Sequence, residues 1–187
     1  MRITGGLSKG RVLASLKGLN IRPTSDKVRE AIFNLLGQDM TGLRTLDLFA
    51  GTGSLGIEAL SRGALEVLFI DHSQISAQLI KKNLMLCGYE SVGYFLKRDL
   101  TKDLPWEYPF MQASVDLIFM DPPYGKGFIL PILSRLSKNN LLKSSSIIIT
   151  ESLKNDFLPD AEGMLYLCKT RLYGNTKIDI YHYGETR

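Results

Sequence analysis

The stretch RTLDLFAGTGSLGIEALSRG, residues 44–63, changes its period halfway. Residues 44–49 are a short apolar run of the kind buried in a sheet. The glycines at 51, 53 and 56 interrupt it, and Leu55, Ile57, Ala59 and Leu60 then recur at helical spacing. Strand, glycine loop and helix in that order predict the first half of a β-α-β unit.

The same alternation continues downstream. LEVLFID (65–71) reads as a second strand. SAQLIKKNLMLCG (76–88) follows as a helix with Leu79, Ile80, Leu84 and Leu86 on one face, closed by Gly88. VGYFLKRD (92–99) is a third, weaker strand, SVDLIFMD (114–121) a fourth and SSIIITES (145–152) a fifth, with a helix over about 127–138 between the last two. Such alternation calls for a parallel sheet with helices on both faces. Right-handed crossovers give the order 3-2-1-4-5, which puts the fourth strand beside the first. MLYLCKTRLY (164–173) and KIDIYHY (177–183), joined through GNT, form a hairpin with a Gly-Asn turn.

Before residue 44 the texture differs. RITGG and GRVLASL suggest short strands around a glycine-rich turn. RPTSDKVREAIFNLLG starts a helix capped by Thr24 or Ser25, with Val28, Ile32, Leu35 and Leu36 as its apolar stripe. One domain of 187 residues is expected, with residues 1–40 as an extension and 41–187 as the core.

Composition narrows the function classes. An apolar fraction of 44% with 22% charged residues is that of a soluble globular chain, and no apolar run is long enough for a membrane span. The start MRITGGLSKGR lacks the apolar stretch of a signal peptide. Cys87 and Cys168, like His72 and His182, lack metal-ligand or disulfide spacing, and each cysteine is expected to be a small buried hydrophobe. A cytoplasmic protein without a metal is the expectation. Formal net charge is +4, yet residues 1–30 alone carry +5, from Arg2, Lys9, Arg11, Lys17, Arg22, Lys27 and Arg29 against Asp26 and Glu30. An excess confined to one segment suits an arm for an anionic polymer, although a solvated basic face has the same composition.

The glycines fit the tight approach of a nucleoside cofactor, as well as a turn made for packing alone. Asp71 ends the second strand 18 residues after Gly53, where a carboxylate can take both hydroxyls of an adenosine ribose. Asp47, four residues before Gly51, favours S-adenosylmethionine over a nicotinamide dinucleotide: it repels a pyrophosphate and attracts an ammonium. It could also simply tie the loop to its neighbours. Phe49, Ala50, Thr52 and His72 flank these positions and complete the candidate cofactor set.

The fourth strand stops abruptly at Asp121-Pro122-Pro123-Tyr124. Pro-Pro is a good strand stop in itself. Beside the glycine loop it offers more, because prolines leave carbonyl oxygens projecting from a rigid turn. Rigid acceptors suit an exocyclic amino group, whose lone pair is delocalised into the base. Hydrogen bonds from both N–H groups, to the Asp121 carboxylate and a turn carbonyl, pull that nitrogen toward tetrahedral geometry. Tyr124 offers a stacking face, and a base inside a helix must first be splayed out to reach it.

These motifs resemble the amino-methyltransferases with an [N/D]-P-P-[Y/F] signature. RITGG with GRVL, RPTSDKVREAIFN, LDLFAGTGSLGIEALSRGA, LIKKN, VDLIFMDPPYG and RLYGNTKIDIY together are more similar to the RsmD family, which methylates a guanine N2 in bacterial 16S ribosomal RNA. The resemblance implies a Rossmann-like class I methyltransferase with a seven-stranded sheet of order 3-2-1-4-5-7-6, the seventh strand antiparallel, and a small N-terminal β-hairpin and helix. It implies S-adenosylmethionine as cofactor, with Asp121 at the cofactor as well as the base, and Asp99 as acceptor for the adenine amino group; an exposed turn aspartate is the alternative there. The implied partner is an assembled or assembling 30S subunit with its ribosomal proteins, met by a monomer. Lys9, Arg11, Arg22, Thr24 and Arg29 are then candidates for phosphate or base contacts beside Tyr124. Two other readings stay open: methylation of an adenine N6 or a protein glutamine, and a non-catalytic ribosome-assembly factor.

Overall fold

The computed structural model describes residues 1–15 and 25–184. Five strands, Arg44–Leu48 (β1), Glu66–Asp71 (β2), Gly93–Lys97 (β3), Val115–Met120 (β4) and Leu142–Leu153 (β5), pair in parallel in the order β3-β2-β1-β4-β5. Beyond β5 come Ala161–Glu162 (β6), Leu165–Tyr173 (β7) and Thr176–Tyr183 (β8), which complete the sheet as β5-β8-β7-β6 with antiparallel pairing throughout. The sheet is therefore the expected Rossmann-like one with an eighth strand added. β6 pairs only at Ala161↔Tyr166 and Glu162↔Leu165, too briefly to leave a periodic signal. The hairpin turn is Gly174-Asn175, with Gly174 at φ 62°.

The central strands are apolar throughout because both faces are covered. In β2, Val67 and Phe69 pack on one side, Leu68 and Ile70 on the other. The first side receives Asp26–Leu36 (α1), Ser54–Ser61 (α2) and Gln74–Cys87 (α3), through Phe33, Ile57, Ile80 and Leu84 among others. The second receives Ile129–Ser137 (α4), through Ile132, Leu133 and Leu136. Ser25 caps α1 by accepting from the Val28 amide, and Gly37 closes it at φ 101°. Among the described residues no helix is long and apolar enough to cross a membrane.

The N-terminal residues form the expected hairpin in minimal form: beside the antiparallel bridge Arg2↔Val12, the Ile3 amide donates to the Arg11 carbonyl at 3.0 Å, Gly10 to Ile3 at 2.8 Å and Leu13 to Met1 at 3.1 Å, and the segment lies as a strap across α2. Their register is set by polar ties. The fully buried Glu58 accepts from the Thr4 amide (3.1 and 2.9 Å), the Gly5 amide (2.7 Å) and the Thr4 hydroxyl (2.7 Å). The Leu7 amide donates to the Ser61 carbonyl at 2.7 Å, and a Cβ on Gly6 would lie 1.8 Å from that same oxygen. Gly6 therefore makes the close approach possible.

Arg29 requires a correction. Expected at phosphate or base, it is fully buried, its Nε donating to Glu58 at 3.1 Å and its Nη2 to Asp26 at 3.0 Å and to the Arg2 carbonyl. Arg62 reaches the same Glu58 at 2.8 Å. A guanidinium enclosed in this way joins α1, α2 and the strap and has no route to an RNA phosphate. Cys168 is also corrected: it is exposed on β7, whereas Cys87 is half-buried as a small apolar side chain.

Glu58→Ala leaves the buried Arg62 without its counter-charge and the buried Arg29 with only the part-exposed Asp26. It is expected to lower the unfolding free energy by about 3–5 kcal/mol, read from urea denaturation. A loss under ~1 kcal/mol, the worth of an exposed ion pair, would contradict this account of the strap.

Candidate active site

β1 and β4 are neighbours in space though far apart in sequence, and Leu48 pairs with Met120 at their carboxyl ends. From β1 the connection runs toward β2, and from β4 toward β5, on the opposite side of the sheet. A crevice opens where the strand order reverses in this way. Here it is a cavity of about 730 Å³, lined by the loop after β1, the end of β2, residues 98–101 and the turn after β4.

The three glycines of the loop do three different things. Gly51, at φ 55°, donates its amide to Asp71 Oδ2 at 2.9 Å, and a Cβ there would meet nothing closer than the Phe49 carbonyl at 3.9 Å. Its cavity side is open. Gly53, at φ 76°, starts α2, and a Cβ there would sit 2.9 Å from Ile80. A side chain there would point into the core, while the neighbouring Gly51, Thr52 and Ser54 line the cavity. Gly56 lets α2 approach the Phe69 ring, 2.3 Å from where its Cβ would be. Phe49 enters the loop at φ 60°, a conformation that costs a non-glycine residue about 1–3 kcal/mol. Its ring is stacked on Phe128, 5.9 Å between centroids and 8° from parallel.

Four aspartates surround the cavity. Asp47, buried on β1, accepts from the Gly56 amide at 2.9 Å; burial pushes its carboxyl up to about 8, against that hydrogen bond and with a further contribution from the charge of Asp71. Asp71 accepts from the Gly51 amide on one oxygen and the Ser73 amide on the other, at 2.9 and 2.8 Å. Each oxygen keeps a second lone pair, so two vicinal hydroxyls can be accepted by a carboxylate already fixed in place. Asp99 takes the Thr101 hydroxyl and amide on Oδ1, at 2.7 and 3.0 Å, which hold its carboxyl below the usual range. Asp121 begins the Pro122-Pro123 turn, and His72 lies 3.6 Å from Asp71 at the rim. With Arg98 as the cation on this wall, the cavity suits a positively charged ligand better than a pyrophosphate.

Tyr124 closes the turn. Its hydroxyl donates to Glu151 Oε1 at 2.5 Å, and burial together with that acceptor raises its phenol well above the usual range. Pro122 is buried while Pro123 and Tyr124 reach the surface of the site.

The structure thus brings together Asp47, Phe49, Ala50, Gly51, Thr52, Asp71, His72, Asp99, Asp121, Pro122, Pro123 and Tyr124. Lys9 and Arg11 are exposed on the strap, away from this wall, with the Arg11 guanidinium on the Leu86 carbonyl. Arg22 and Thr24 lie outside the described residues. Three contributors have no signal that marks them singly. Phe128 follows the proline turn, and Glu151 lies on β5 between Thr150 and Ser152. Asn83 on α3 ties the Thr52 carbonyl to the backbone of Ala14, at 3.0 Å and at 2.7 and 3.1 Å.

The raised carboxyl of Asp47 has a consequence for stability. Between the ordinary 3.8 and about 8, the folded state keeps a proton that the unfolded chain has lost. Its contribution is therefore fullest at low pH and is lost as the pH rises toward 8. Asp47→Asn keeps an acceptor for Gly56 and removes the titration. Its urea midpoint, measured without added ligand, should gain on that of the wild type between pH 5 and pH 8. A constant difference across that range would contradict the assignment.

Comparison with known proteins gives the family and the fold. The family model described as Conserved hypothetical protein 95 matches residues 1–182. The chain is 37% identical to the ribosomal RNA small subunit methyltransferase D of Haemophilus influenzae, over 89% of this chain and 86% of that one. It is 29% identical to the protein of the same name in Escherichia coli K12, over 97% and 89%. A solved structure of a candidate methyltransferase from Escherichia coli superposes with a TM-score of 0.82 at 30% identity, covering 98% of this chain and 97% of that one. A candidate methylase from Haemophilus influenzae gives 0.79 at 31%, covering 98% of each. By family model, identity and fold, the chain belongs to the Conserved hypothetical protein 95 family, the RsmD family of methyltransferases.

Proposed function

We propose that this protein methylates the exocyclic N2 of a specific guanine in small-subunit ribosomal RNA, using S-adenosylmethionine. The observation that carries the reading is the meeting of the Gly51 loop and the Asp121-Pro122-Pro123-Tyr124 turn on one acid-lined cavity. Asp71, with a lone pair left on each oxygen, fits a ribose diol, and Asp47, whose carboxyl a neighbouring cation draws back toward its charged form, fits an ammonium. Phe49 and Asp99 flank the place for a purine. When bound, S-adenosylmethionine supplies an electrophilic methyl group on a sulfonium, so the protein has no leaving group to activate. Its work is positioning and charge placement. The Asp121 carboxylate and a turn carbonyl accept from the amino group and direct its lone pair. As the N–C bond forms and the S–C bond breaks, the nitrogen sheds a proton for which the Asp121 carboxylate is an acceptor. Tyr124 holds the base by its face.

The names of the relatives support ribosomal RNA as the substrate class, and a guanine N2 fits two acceptors beside a stacking ring. The chain leaves little surface beyond the strap to select one base, which favours a folded subunit with its ribosomal proteins over bare RNA. A cytoplasmic monomer suffices for this task.

Labelled S-adenosylmethionine offered with unmodified small subunits, free rRNA or duplex DNA tests the reading. Label in the subunits, digesting to N2-methylguanosine and abolished by Asp121→Ala with a far smaller loss of cofactor affinity, is the expected outcome. Label in DNA or as N6-methyladenosine would overturn the target, and equal loss of binding and activity in Asp121→Ala would overturn that residue's role. Lys9→Ala with Arg11→Ala should reduce the salt dependence of subunit binding by about 0.7–0.9 in logarithmic slope for each phosphate no longer neutralised. An unchanged slope would leave the strap cations as a solvated face.

A further inference from the structure

Tyr124 stands on a turn whose backbone does little to fix its ring. Gly125 and Gly127 follow it at φ 67° and 65°, and a Cβ on either would meet nothing within 4 Å. Glycine is needed there for conformation and not for space, so the segment past the tyrosine is loosely packed. Yet a stacking platform works only if the ring keeps its plane when no base is present.

The missing constraint comes from the neighbouring strand. The last registered pair of β4 and β5 is Met120↔Thr150, so Asp121 and Glu151 stand next to each other one position further on. Glu151 is 5% exposed, and its Oε1 accepts the Tyr124 hydroxyl at 2.5 Å. Strand β5 runs on to Leu153, past this point, and pairs there with Thr176 of β8. The acceptor is therefore anchored in a paired strand while the ring it holds lies in a turn. From this geometry we infer that Glu151 is a positioning residue for methyl transfer, acting through the Tyr124 hydroxyl to hold the ring as a fixed stacking face beside Asp121.

The inference rests on the proposed function and adds a requirement to it. Glutamate is needed as an acceptor, not as a charge, and the tyrosine hydroxyl is needed as a donor, not as an acid or base. Burial and the Glu151 acceptor raise the phenol above its usual range, which agrees with a hydroxyl that serves as donor.

The test compares Glu151→Gln, Glu151→Ala, Tyr124→Phe and the Tyr124→Phe/Glu151→Ala double variant. Glu151→Gln keeps an oxygen acceptor and should retain kcat within about threefold, since one neutral acceptor replaces one charged one. Glu151→Ala and Tyr124→Phe should each lower kcat/KM on small subunits by about ten- to a hundredfold, the cost of leaving one partner of the bond unsatisfied. The double variant should lose no more than either single one, and S-adenosylmethionine affinity should stay unchanged in all four. Additive losses, or Glu151→Gln failing as badly as Glu151→Ala, would overturn the inference. Crystal structures of the wild type and both Glu151 variants separate it from the functional reading. The ring should keep its plane with glutamine and leave it with alanine, whatever the substrate proves to be. A ring that stays in place with alanine would overturn the inference even if the methylation assay succeeds.

Discussion

Parallel pairing of β1 with β4 is the constraint on which the site depends. The two strands are brought side by side by crossovers on opposite sides of the sheet, and Leu48↔Met120 brings their carboxyl ends level. One residue further on, a glycine loop and a proline turn face each other across the cavity. A one-residue slip would send Asp47 or Asp121 to the wrong face of the sheet, because side chains alternate along a strand. The buried apolar runs on either side hold the register, with Leu46, Leu48, Ile118 and Met120 on one face and Leu117 and Phe119 on the other.

Polar groups then fix what hydrophobic burial leaves free. Asp47 ties β1 to the start of α2, and Asp71 ties the end of β2 to the glycine loop. Glu58 gathers the N-terminal strap, α1 and α2 onto one buried carboxylate. Asn83 connects the strap at Ala14 to the loop carbonyl of Thr52. The strap is thus joined to the glycine loop through α3. A chain segment that carries the exposed Lys9 and Arg11 is mechanically continuous with the loop that lines the cavity.

How much of this is legible in the sequence depends on distance along the chain. Strands, helices and the glycine loop follow from local period, and the turn at Asp121 from an abrupt change in residue type. Arg29 misleads because its partner, Glu58, lies 29 residues away, and a charge count cannot tell a solvated cation from a buried one. The G-x-G-x-x-G spacing does not say that Gly51 is the open position while Gly53 and Gly56 make room for Ile80 and the Phe69 ring. Glu151 is invisible for a similar reason: an acid near a strand end looks ordinary until the register sets it beside Asp121. The two-residue β6 is too short to carry any period.

The central claim is that the loop after β1 and the turn after β4 form one methyl-transfer site. A crystal structure with S-adenosylhomocysteine, the product of the proposed reaction, tests it most directly. The account predicts both ribose hydroxyls on the Asp71 carboxylate, the ammonium near Asp47 and the sulfur facing the Asp121-Pro122-Pro123-Tyr124 turn. A ligand seated away from Asp71, or a sulfur turned from Asp121, would contradict it.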